Sequence, residues 1–159
     1  MSNFWKKIEK PHYTSMIDCV RELKSKDYHV SPWIENIATG YKKKFSEINY
    51  PWILEKVSVR DLGFDSSCKL GEIYKKVENS KLKLVEPLIS ILSRFYYDEQ
   101  PNGEWLRFAV PFDSMVDTDG VPHLPKFGKA LNKYFLDTYW SYSDAIFHPH
   151  NEFIFAKHE

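Results

Sequence analysis

The spacing of apolar and polar positions changes period midway along the chain. Near the N-terminus Tyr13, Met16, Val20, Leu23 and Tyr28 recur at intervals of three to five residues, the pattern of a helix with one buried face. Thr14 or Ser15 stands where an N-cap belongs. After the break at HVSP, Ser31 offers a second cap and Pro32 takes the first helical position, where its missing N–H costs nothing. Ile34, Ile37, Ala38, Tyr41, Phe45 and Ile48 carry that stripe on to Pro51, which ends the helix. Val57 and Val59 mark either a short extended piece or a helical turn capped by Ser58 with Asp61 three residues later. A third helix follows from Leu70, Ile73, Tyr74 and Val77, with Ser66 or Ser67 as cap and an end near Asn79.

From residue 81 the period shortens. LKLVEP alternates Leu82 and Leu84 with lysines, as a half-buried strand does, and LISILS after Pro87 reads as a short helix. RFYYD and EWLRFAV read as neighbouring antiparallel strands around Pro101, Asn102 and Gly103, residues suited to the dihedrals of a tight turn. DTDGVPHLPKFG is turn-rich. KYFLDTYW and NEFIFAKH supply further strands, the latter with Phe153 and Phe155 on one face and Ile154 on the other. Helices followed by strands imply an α+β fold, N-terminal helices packed on a C-terminal, mainly antiparallel sheet. At 159 residues the chain suits a single domain over 1–159, helical to about residue 80 and strand-rich beyond it.

Composition changes this picture in one respect. Hydrophobic and charged contents of 43% and 28% are ordinary, but 16% of the residues are aromatic, and such rings line binding surfaces as well as cores. Net charge is zero, with 14 basic and 11 acidic residues up to position 80 and 8 and 11 after it. That balance lacks the basic face of a protein that neutralises phosphates, so nucleic acid is not the expected partner. The three successive lysines at 42–44 read as a solvated helix end. Cys19 and Cys68 lack metal or redox spacing and read as reduced thiols, Cys68 beside a helix start whose dipole lowers a thiol pKa. No leader or membrane span is evident, so a cytoplasmic protein is expected.

Candidate chemistry gathers in YYDEQPNGEWLRFAV, residues 96–110. A hairpin there brings Asp98, Glu99 and Glu104 to one tip, where mutual repulsion raises a carboxyl pKa and creates an acid and base pair if the tip lies in a cleft. His148 and His150, two apart around Pro149, offer two ligands for a metal without an assigned third. The DTDG segment fails as a calcium loop, because the positions of its first and last ligands hold Met115 and Lys126.

The runs VRDLGF, KLGEIYKKV, LKLVEP, YDEQPNGEWLRFAV and FHPHNEFIFAKH together resemble a family of small uncharacterised bacterial proteins over roughly residues 57–159. Those share an Asp-Gln-Pro-x-Gly-Glu-Trp-Leu type segment; here Asp98-Glu99-Gln100 is one residue longer before the proline. The resemblance implies that Gln100, Pro101, Gly103, Glu104 and Trp105 form a shared motif, and implies no activity or cofactor. The expectation is a non-enzymatic binding or regulatory domain. It holds a protein or small-molecule ligand on an aromatic surface around 96–110 and 139–155, with Tyr97, Gln100, Glu104, Trp105, Tyr139 and Trp140 as binding residues. Self-association is compatible with that surface. The alternative is a small hydrolase using Asp98, Glu99 or Glu104, with His148 and His150 on a metal.

Overall fold

A computed structural model describes residues 3–158. The chain runs β1 (Phe4–Ile8), α1 (Met16–Ser25), β2 (His29–Val30), α2 (Pro32–Gly40), β3 (Trp52–Ser58), β4 (Cys68–Lys69), α3 (Leu70–Val77), β5 (Leu82–Lys83), α4 (Pro87–Leu92), β6 (Trp105–Phe108), β7 (His123–Ala130), β8 (Lys133–Trp140), β9 (Ile146–Phe147) and β10 (Glu152–Lys157). Short 3-10 turns at Phe45–Glu47, Arg60–Leu62 and Ser93–Tyr96 join some of these. The main sheet has the order β1-β3-β10-β6-β7-β8-β2, with β5 also pairing to β10. It is mixed: β10 runs parallel to β6 and β2 parallel to β8, while the other pairs are antiparallel. The fold is therefore α+β, but helices and strands interleave along the chain instead of separating at residue 80.

Caps explain where the helices start. At α1 the Ser15 hydroxyl accepts from the Asp18 N–H at 3.3 Å, and the Asp18 carboxylate accepts from the Ser15 N–H at 3.2 Å. At α2 Ser31 accepts from the Trp33 N–H at 3.1 Å and Pro32 sits in the first turn. The helix stops at Gly40, eight residues short of Ile48. Beyond it Tyr41 is extended and donates to Glu86 at 2.8 Å, while the Phe45 N–H donates to the Thr14 carbonyl at 3.1 Å. Phe45 is still buried, reached by extended chain instead of helix. At α3 neither Ser66 nor Ser67 caps; Lys69 takes the cap position and its N–H is held by the Glu72 carboxylate.

The hairpin is elsewhere than expected. RFYYD is no strand: Ser93–Tyr96 continues α4 as a 3-10 turn, with the Ser90 and Ser93 hydroxyls donating to the carbonyls of Pro87 and Ile89 at 2.6 Å. The hairpin joins β7 to β8 through Leu131 and Asn132, both with positive φ (51° and 60°), as a turn matched to strand twist requires. The Pro-Asn-Gly turn docks on that loop. Asn102 and Asn132 exchange hydrogen bonds at 3.2 Å, and the Gly103 N–H donates to the Lys129 carbonyl at 2.7 Å.

The core lies on both faces of the sheet. On one face Trp5 packs edge to face on Phe108 and Phe127, which meet each other at a tilt with ring centres 4.3 Å apart. On the other, Tyr74 of α3 meets Phe155, and Phe147 of the β4–β9 ribbon meets Phe153 and Tyr139. Phe153 and Phe155 share one face of β10 and Ile154 takes the other, and burial on both faces leaves all three fully buried.

Candidate ligand-binding surface

Residues 94–104 form a frame under the surface. Arg94 ends the α4 segment fully buried, and its guanidinium donates to Gln100 Oε1 at 2.8 Å, to the Tyr97 carbonyl at 2.7 Å and to the Phe135 carbonyl at 3.4 Å. It lies 4.7 Å from the Phe127 ring centre. Burial lowers its pKa to about 10, against the attraction of Tyr28 and Asp98. Gln100, also fully buried, turns its amide to the Glu104 and Phe127 carbonyls at 3.1 and 3.5 Å. The Tyr97 hydroxyl donates to Glu104 at 2.7 Å, and Lys56 pairs with the other Glu104 oxygen at 3.2 Å. Burial first, then the hydrogen bond to Glu104, pushes the Tyr97 phenol above its ordinary range. Tyr97 and Gln100 are thus inside the protein, where they brace the turn and offer no contact area.

The three acids do not share a tip. Asp98 accepts from the Tyr28 hydroxyl, Glu99 pairs with Lys6 at 2.9 Å, and Glu104 is held by Tyr97, Lys56 and Gln100. With RFYYD helical there is no second strand to fold them together. Glu99 lies below the usual carboxylate range, chiefly through its hydrogen bond from Lys6, the opposite of what an acid catalyst needs. The rings of His148 and His150 stack at 5.8 Å, and His148 Nδ1 is 2.8 Å from the Ser67 hydroxyl. Among the described residues, no three His, Cys, Asp or Glu side chains come together to hold a metal. Cys19 and Cys68 are free and buried, and burial followed by Glu72 raises the Cys68 pKa, so the helix dipole does not prevail there. Among the described residues no helix is long and apolar enough to cross a membrane.

What remains partly open is the part of the sheet face around Trp105 and Lys126, bordered by Tyr139 where Phe147 of the ribbon covers it at 5.1 Å. Trp105 faces Gly128 across β6 and β7, and a Cβ on Gly128 would lie 2.2 Å from the indole. The missing side chain lets the indole lie against the strand. The Lys126 ammonium stands 4.7 Å from the Trp105 ring centre and 5.9 Å from that of Tyr139. Such stacking is worth about 0.5–1 kcal/mol at partly exposed positions. Phe135 flanks Trp105 at 6.1 Å. Trp140, 59% exposed at the end of β8, has its ring 6.1 Å from that of Tyr139, but its register partner is His123, on the opposite face of the sheet. Trp105 and Tyr139 are half-buried. Trp105 and Tyr139 stand out in the sequence, whereas Lys126 does not, because only the register of β7 against β6 and β8 places it between the rings.

The sequence pattern also hides a buried polar cluster. His123 is 2.8 Å from Asp117 through Nε2 and 3.1 Å from the Thr138 hydroxyl through Nδ1, and Trp33 stacks over it at 5.6 Å. Asp117 also accepts from the N–H groups of Asp119 and Val121 at 2.8 and 3.0 Å. Both ring nitrogens of His123 have partners, so the cluster pins the loop before β7. Asp117, Asp119, Gly120 and Pro122 in DTDGVPH carry the turn signal, but nothing in the spacing shows His123 inside. Set against known proteins, the chain matches no family model, no curated protein and no solved structure at a significant level.

Proposed function

We propose that this protein is a non-enzymatic binding or regulatory domain whose ligand, a protein or a small molecule, sits on the face of Trp105 and Tyr139, with the exposed Trp140 at the edge of the sheet beside it. The observation that carries the reading is the Lys126 ammonium between two half-buried rings, a rigid amphipathic surface with little conformational entropy to lose on binding. Tyr97, Gln100 and Glu104 hold that surface from behind. Of the motif residues that the family resemblance implies, only Trp105 is a contact residue in this reading. The free thiols accord with a reducing compartment such as the cytoplasm. No observation favours the hydrolase alternative, since Asp98, Glu99 and Glu104 are each engaged by different groups.

The test is capture from an extract of the native host on immobilised full-length chain, comparing wild type with Trp105→Ala and Tyr139→Ala variants checked for folding by circular dichroism. A ligand retained by wild type and lost from both folded variants is the expected result. Identical capture by all three would overturn the reading.

A further inference from the structure

Beside Lys126 on the same face stands a second cation. Arg107 of β6 is the register partner of Lys126, and on its other side it adjoins Phe153 of β10. Alternation along β6 puts its side chain with Trp105, and its guanidinium carbon is 5.9 Å from the Phe147 ring centre. Two like charges on adjacent strands at directly opposed positions repel each other. Among the described residues neither forms an ion pair within 4.0 Å. Asp137, the partner of Lys126 on β8, attracts it but stays outside ion-pair distance. Arg107 makes one long hydrogen bond, from Nη1 to the Trp105 carbonyl at 3.5 Å, and its Nε is buried with no partner. A buried donor without an acceptor is costly, and an arginine fork is shaped to take an oxyanion.

We infer that Arg107 and Lys126 form an oxyanion site, taking a carboxylate or phosphate group of a small ligand whose planar body lies against Trp105 and Tyr139. The geometry supplies both halves of the recognition. The guanidinium and ammonium stand on paired positions of β6 and β7, near enough for Arg107 to act on Lys126, and the rings beside them provide the flat apolar wall. Burial lowers the pKa of both cations, and Arg107 lowers that of Lys126 further; an anion between them reverses that trend. Arg94, the other buried guanidinium, also has an Nε without a partner, but differs in that its Nη groups are bonded to Gln100 and to two carbonyls. The inference rests on the Trp105 face being the binding face.

The test uses nitrogen-15-labelled full-length protein titrated with benzoate, phenyl phosphate and the uncharged control benzamide. The readouts are the Arg107 Nε–H and Trp105 indole signals. Saturable shifts of both with benzoate or phenyl phosphate, and none with benzamide, are expected at or below about 10 mM. The tighter of the two anions identifies carboxylate or phosphate as the group taken. Lys126→Gln and Arg107→Gln are each expected to weaken that binding about tenfold or more. No shift of Arg107 Nε–H with either anion, an equal response to benzamide, or unchanged affinity in folded Lys126→Gln would each overturn the site. The wild-type titration decides the matter by itself if a variant does not fold. Trp105-dependent capture from extract together with silence toward both anions would keep the binding face and remove the oxyanion site.

Discussion

Gly128 illustrates how one residue sets the surface. Its φ is unremarkable, and what requires glycine there is the indole of Trp105, whose ring atoms lie 2.2 to 2.4 Å from where a Cβ would be. Gly128→Ala is therefore expected to destabilise the fold by about 1–3 kcal/mol through overpacking. In a Trp105→Ala background the same change should cost well under 1 kcal/mol, because the coupling is between these two residues. Urea midpoints of the four proteins form the cycle, and equal costs in both backgrounds would refute the packing account. The same substitution should shift the Trp105 fluorescence maximum, since the ring must leave its place.

At the scale of elements, the turn between β7 and β8 governs more than one hairpin. Leu131 is 89% exposed and holds φ at 51°, a left-handed conformation that costs a side-chain-bearing residue about 1 kcal/mol or more. Its neighbour Asn132 tolerates that region and is anchored to Asn102. Leu131→Asn is expected to stabilise the protein by about 0.5–1 kcal/mol, read as a rise in thermal midpoint. A fall would mean that Leu131 makes contacts outweighing its strain. Because Asn102 and Gly103 dock on this loop, the turn that the sequence marks most clearly serves as a brace between β6 and the hairpin.

For the molecule as a whole, the longest irregular passage between strands, 109–122, is tied down at Asp117. The Asp117 carboxyl is held below its ordinary range, first by the hydrogen bond from His123 and then, against burial, by the Val121 and Asp119 N–H groups. A carboxylate with a lower pKa folded than unfolded adds stability above the unfolded value, near 4, and loses it as pH falls through the folded value. Denaturant midpoints of wild type and Asp117→Asn should thus differ at about pH 7 and converge below about pH 4. A gap that persists unchanged to about pH 3 would show that Asp117 acts without its charge. Thr118 also exchanges hydrogen bonds with Asn36 at 3.0 and 3.2 Å, so the loop ties α2 to the sheet.

Local signals carried the helix starts at Ser15 and Ser31, the short helix after Pro87, and the strands at Trp105, Lys133 and Glu152. Caps, proline and short-period alternation act within a few residues and need no distant partner. The strand β1 at Phe4–Ile8 and the full length of β3 escaped that reading because a strand is completed by hydrogen bonds to partners far along the chain, here β3 for β1 and β10 for β3. RFYYD has the composition of a strand, yet its first three residues belong to a 3-10 turn, where Arg94 is buried against Gln100, Tyr97 and Phe127. Pattern and composition were enough for the α+β class and for Trp105, Tyr139 and Trp140 as candidate binding aromatics. Tertiary structure alone decided that Tyr97 and Gln100 lie inside, that the acids at 98, 99 and 104 part company, and that Lys126 and Arg107 stand among the rings. Register across strands sets those neighbours, and register depends on the whole sheet.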